Sequence, residues 1–209
     1  MAVRIMSVLS GLVLAAVPLM AQAPPGWRTS SETQVRVDPT VAHSGKASGL
    51  VRGSQADDFV TLRQSIKTDD FRGKRVRMSS YVRTALVSGT ASMWMRVDGP
   101  GASGGVAFDN MNGRPIRGTT EWTRYDIVLD VPQESSVIVF GVMVTGQGDV
   151  WFDDVTLDAV GSDVPSTNTM DEPAHDHSRT DKEKADIIET RRAAPVKPRN
   201  LGFEEQKSL

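Results

Sequence analysis

Two short alternating runs hold the side chains best suited to chemistry. Successive side chains of a strand point to opposite faces. In 75–84 this puts Arg75, Arg77, Ser79, Tyr81 and Arg83 on one face, with Val76, Met78, Ser80 and Val82 on the other. In 91–98, Trp94, Arg96 and Asp98 oppose Met93, Met95 and Val97. If both runs lie in one sheet, Tyr81, Arg83, Trp94, Arg96 and Asp98 share an exposed surface. A sugar ring has an apolar face and a hydroxyl edge. Flat aromatic groups meet the first, and arginine and aspartate supply directed bonds to the second. The competing reading is a solvated sheet face, its arginines lying over rings and pairing with Asp98 or Asp126.

A further carboxylate stands out in the last apolar run. Asp153 lies between Trp151 and Val155 at the parity of Leu157, which aims it inward. Unpaired, it would be too costly to bury, so backbone amides, a hydroxyl or a cation must meet it. Catalytic patterns are weaker. The glycine-rich 99–104 leads into another strand and not into a helix, so it reads as a hairpin loop. His43 has no nucleophile beside it and reads as a solvated turn residue. Nothing singles out an acid–base pair among Asp98, Asp109 and Asp126, and His175-Asp176-His177 falls in a polar stretch. These observations favour a binding module over an enzyme.

The elements that must position these residues are strands. From Val35 to Leu157, short apolar or alternating runs are separated by Gly, Pro, Asn and Asp, with no long helical period between them. Strands are expected over 34–38, 47–52, 59–65, 75–84, 91–98, 105–110, 123–131, 136–145 and 150–157. The run 136–145 is apolar on both faces and should lie centrally. Residues 25–160 thus make an all-β sandwich, large enough for one core. Residues 161–199 are charged and rich in Ser, Thr and Pro, the composition of a flexible, mostly disordered linker or tail. Within it, Thr180-Asp181-Lys182-Glu183 has the spacing of a capping box, so one short helix is expected over 181–192. Residues 200–209 begin strand-like again.

Residues 1–23 carry one arginine, an apolar run and Ala21-Gln22-Ala23, the three regions of a secretory signal peptide. The expected location is secreted or periplasmic, with membrane attachment only if that segment is retained. There is no cysteine, so no disulfide can hold the exported domain together. A formal charge of −2 with mixed signs disfavours nucleic-acid binding.

Four segments carry a resemblance: Ala42-His43-Ser44-Gly45-Lys46-Ala47-Ser48, Gly73-Lys74-Arg75-Val76-Arg77, Gly118-Thr119-Thr120-Glu121-Trp122 and Val150-Trp151-Phe152-Asp153-Asp154-Val155. In this order they resemble galactose-binding-like jelly rolls of the carbohydrate-binding-module kind. Trp94-Met95-Arg96-Val97-Asp98-Gly99 and Ala107-Phe108-Asp109-Asn110-Met111 look like a narrower group attached to some exported bacterial tail-specific serine peptidases. Such modules commonly open with Asn-x-Gly-Phe-Glu followed by Gly-Trp. Here Gly26-Trp27 is at the front and Asn200-Leu201-Gly202-Phe203-Glu204 at the back. The terminal segment therefore returns to complete this sandwich, pairs with a neighbour, or opens a second module. The resemblance also implies a structural calcium ion held by Asp153, Glu204 and the turn at Ser44–Lys46, although Glu204 stands at the unexpected end of the chain. Its functional implication is a non-catalytic module for carbohydrate. The alternative is a structural or protein-interaction domain with an exported protein partner, a remnant of a larger peptidase.

Overall fold

The computed structural model describes residues 23–55, 59–100, 105–170 and 181–205. The expected signal segment, the glycine-rich loop beyond Pro100 and the His175-Asp176-His177 step lie outside them, except for Ala23, which is buried. Among the described residues, nine strands and one helix follow in order: β1 (Arg28–Thr29), β2 (Val35–Asp38), β3 (Ser48–Gly53), β4 (Val60–Lys67), β5 (Lys74–Asp98), β6 (Gly105–Asp109), β7 (Ile116–Val131), β8 (Val137–Val144), β9 (Gly148–Val160) and α1 (Asp181–Ala193). All strand pairs are antiparallel. The chain is an all-β jelly-roll sandwich. Among the described residues no helix is long and apolar enough to cross a membrane.

The two runs expected as separate strands over 75–84 and 91–98 are one continuous strand of 25 residues. Its first half pairs with β7 and β9, and its second half, Ala91–Asp98, pairs with β8 and β6. One layer therefore reads β7–β5–β9–β3–β2 and the other β1–β4–β8–β5–β6. Between the halves the β5–β7 register shifts three times from Val82 to Ala91, and Leu86 adopts φ 55°. These irregularities let one backbone cross from layer to layer. Val76, Met78 and Val82 from the first half and Met93, Met95 and Val97 from the second meet in the same core.

The segment 161–199, expected to be a linker, lies on the sandwich wherever it is described. Its composition gives it no core of its own, and it borrows one. Thr167 bonds with Val128 at the edge of β7, and Thr169 with Phe108 at the edge of β6. Otherwise unpaired strand edges are thereby covered. Arg75, paired with Asp130, donates to the carbonyls of Ser162 and Val164. Further on, Ala194 packs with Trp94, Val137 and Val139 on the outer side of β8 and β5, which explains why β8 is apolar on both faces.

The terminal segment returns home. It does so as turns and not as the expected strand, with Asn200 at φ 54° and Phe203 at φ 58°. Phe203 is fully buried, stacked on Trp27 with ring centroids 5.0 Å apart and edge-on to Phe152 at 6.1 Å. The Trp27 indole N–H donates to the Asn200 carbonyl at 3.0 Å. Gly49 makes room for the ring, since a Cβ there would lie 2.7 Å from Phe203. Replacing Phe203 with Ala should cost about 3–5 kcal/mol, the usual range for removing a large buried aromatic. Urea unfolding of the full chain would measure it; a loss below about 1 kcal/mol would mean the ring is not part of the core.

Candidate functional site

The continuity of β5 decides which of the expected site residues meet. Tyr81 and Arg83 face outward from the β7–β5–β9 layer, whereas Trp94 and Arg96 face outward from the other layer. The shared surface of Tyr81, Arg83, Trp94, Arg96 and Asp98 therefore does not exist. Alternation fixes which side of its own sheet a residue takes, and the strand changes sheets between them. Trp94 is only 9% exposed and donates from its indole N–H to the Thr61 hydroxyl at 3.2 Å. Asp98 is fully buried and held by Arg96 at 2.8 Å. Trp94 and Asp98 are closed to a ligand.

The other outward face is built differently. Tyr81 stands opposite Arg124 of β7 and Asp153 of β9. The His43 ring lies flat on Tyr81, with centroids 3.5 Å apart and planes 12° from parallel, and Trp122 meets His43 edge-on at 5.7 Å. Two residue pairs along, Arg83 stands opposite Trp151 with its guanidinium 5.5 Å from the ring centroid. Arg83 also faces Glu121 at 3.7 Å. Trp151 is fixed from below, donating to Asp38 at 2.9 Å. Burial works to raise the Asp38 carboxyl, but the bonds from Trp151 and Thr40, with the charge of Arg36, hold it below its ordinary value. The result is a partly exposed platform of three aromatic rings, an imidazole and arginines. Sequence reasoning had Tyr81 and Arg83 but not His43, Trp122 and Trp151, because strand pairing and a folded loop bring them together. His43 is exposed in a turn, as expected, but its ring is also held between Tyr81 and Asp154.

The loop that carries His43 is clamped by three carboxylates. Asp153 Oδ2 accepts from the amides of His43 at 2.9 Å and Ser44 at 3.3 Å, and its Oδ1 from the amide of Asp154 at 2.8 Å. Asp154 takes the His43 Nδ1 at 2.6 Å and the Ser44 hydroxyl at 2.7 Å. Glu204, delivered by the returning terminus, accepts from the Lys46 amide at 2.8 Å. Asp153 is fully buried, but not because it follows the parity of Leu157. Asp154 at φ 50° bulges β9, so Phe152 and Val155 both enter the core while Asp153 lies under the loop.

These contacts bear on the implied calcium. The loop presents amide hydrogens to Asp153 and Glu204, whereas calcium needs about six to eight converging oxygens. Among the described residues no group of three or more His, Cys, Asp or Glu side chains is arranged to hold a metal ion. The residues present fit an amide clamp and not a calcium cage. The three aspartates weighed as acid or base are likewise engaged, Asp98 by Arg96, Asp109 by Arg114 and Asp126 by Arg124.

No family model matches the chain. It is 44% identical over 163 residues to an uncharacterised HTH-type transcriptional regulator, YbfP, of Bacillus subtilis strain 168, covering 72% of this chain and 55% of that protein. The chain thus spans about half the length of this curated relative. Among solved structures it is similar to the CBM22-1 xylan-binding domain of Xyn10C from Paenibacillus barcinonensis, with a TM-score of 0.51 and 20% identity over 68% of this chain and 91% of that one. It is also similar to the enzymatically active domain of tailspike protein 4 of bacteriophage CBA120, with a TM-score of 0.50 and 15% identity, covering 65% of this chain and 19% of that one. At these identities the likeness is one of fold.

Two outcomes follow from the clamp. Melting temperatures in calcium and in a chelator should agree within about 1 °C, whereas a calcium-dependent rise of several degrees would restore a metal site. Burial lifts the Asp153 carboxyl from 3.8 to about 6, against the lowering effect of the amides of His43, Asp154 and Ser44. Across that window the folded chain holds a proton that the unfolded chain has released, so this group's contribution to stability falls as the pH rises from 3.8 to about 6. Subtracting the unfolding profile of Asp153→Asn from that of the parent should expose this fall; parallel profiles would contradict it.

Proposed function

We propose that the chain is a non-catalytic carbohydrate-binding module whose recognition surface is the platform of Tyr81, His43, Trp122, Trp151 and Arg83. The flat stack of His43 on Tyr81, flanked by Trp122, carries this reading. Rings held by neighbours before a ligand arrives lose little conformational freedom on binding. Their faces offer apolar contact to a sugar ring, and Arg83, Glu121 and Arg124 stand close enough to the platform to bond its hydroxyl rim. The xylan-binding domain with the same fold supports the class of ligand, and the signal-like residues 1–23 support a secreted or periplasmic location.

A second reading comes from the regulator relative. A domain shared at 44% identity with a protein named as a transcriptional regulator suits a sensor that reads a small soluble ligand and passes the signal to another domain. Both readings use the same platform and differ in ligand size and partner.

Replacing Trp122 with Ala should weaken retention on the best-bound glycan of an array by roughly tenfold while moving the melting temperature by less than about 2 °C. Trp94→Ala should do the reverse, costing about 3 kcal/mol of stability while its folded fraction still binds. Loss of binding in a fully stable Trp94 variant would move the site to the other face.

A further inference from the structure

A cavity of about 350 Å³ lies between the outer side of the β4–β8 region and the returning tail. Four cations line it, Arg28 and Arg63 from the sandwich and Lys197 and Arg199 from the tail, and no acidic residue does. Two of the four have carboxylate partners outside the lining: Arg63 faces Asp186 at 3.6 Å and Arg199 pairs with Glu205 at 2.6 Å. Arg28 and Lys197 have no acidic partner among the described residues, which leaves two positive charges uncompensated at one opening. Val139 and Pro195 supply apolar wall.

The walls are held rigidly. The Gln64 side chain accepts from the Arg199 amide at 2.7 Å and donates to the Arg199 carbonyl at 2.8 Å, and the Lys67 amide donates to the Pro195 carbonyl at 2.8 Å. Like charges would otherwise drive the tail away from the sheet, so these bonds keep the cations together at an electrostatic cost. A phosphate monoester carries close to two negative charges at neutral pH and offers three acceptor oxygens to arginine and lysine. Its charge equals the surplus. The volume is at the low end of small-molecule sites, with room for a modest organic group against the apolar wall.

We propose that this cavity binds a small phosphorylated metabolite, its phosphate set between Arg28 and Lys197 and its organic part toward Val139 and Pro195. Binding links sandwich to tail through the ligand, so it stabilises the docked tail. The site stands on the opposite layer from the aromatic platform and does not depend on it.

Calorimetry and thermal melting of the full chain with glucose 6-phosphate, glucose and inorganic phosphate test this. Glucose 6-phosphate should bind and raise the melting temperature, and the Arg28→Gln, Lys197→Gln double variant should weaken it by on the order of tenfold, with a melting temperature when unliganded that is equal to or slightly above the parent's, since like-charge repulsion is relieved. About 0.5 M NaCl should weaken it as well. Glucose 6-phosphate binding should survive Trp122→Ala, which separates this site from the platform. No binding of either phosphate probe at roughly 10 mM would overturn the proposal. So would equal binding by the double variant, or glucose binding as tightly as its phosphate. Inorganic phosphate binding as tightly as the ester would remove the organic half of the claim.

Discussion

The stacking of Phe203 on Trp27 holds the molecule in its observed form. One ring comes from the start of the fold and the other from its end, and both enter a core that includes Phe140 and Phe152. Burying two large aromatics is worth several kcal/mol, enough to order a tail whose own composition would leave it loose. Three consequences follow from that one insertion. Glu204 reaches the loop at Lys46, Pro195 and Arg199 form one side of the basic cavity, and Ala194 closes over Trp94. Without it, each of these would be an exposed segment with no fixed address.

The loop at residues 42–46 shows how charge and packing cooperate. An acidic pair in the last strand and a glutamate from the terminus hold one turn by its amides and by its histidine. The buried carboxylate is expensive, and its amide partners offset that cost. What the turn delivers is an imidazole laid flat on Tyr81. The ordering of the platform thus begins in the core beneath β9 and ends at the surface.

Much of this was legible in the residues. Val76, Met78, Val82, Met93, Met95 and Val97 face the core as alternation requires, and Tyr81, Arg83 and Trp94 face outward. What alternation could not show was that the stretch between Ala85 and Thr90 carries one backbone from layer to layer, because the pattern reports a residue's side and not its sheet. The bulge at Asp154 was equally silent, since a single residue in a left-handed conformation shifts parity without any change of composition. The charged tail misled for a third reason. Its few anchors, Ile187, Ala194 and Phe203, lie far apart in sequence, and most of its attachment is through backbone groups that no side-chain pattern reveals.

The shared strand has a mechanical meaning. Because β5 belongs to both layers, the two sheets are leaves of one book, joined by a covalent spine between Ala85 and Thr90. A load on one leaf therefore reaches the other through the covalent backbone of β5 as well as through the shared core.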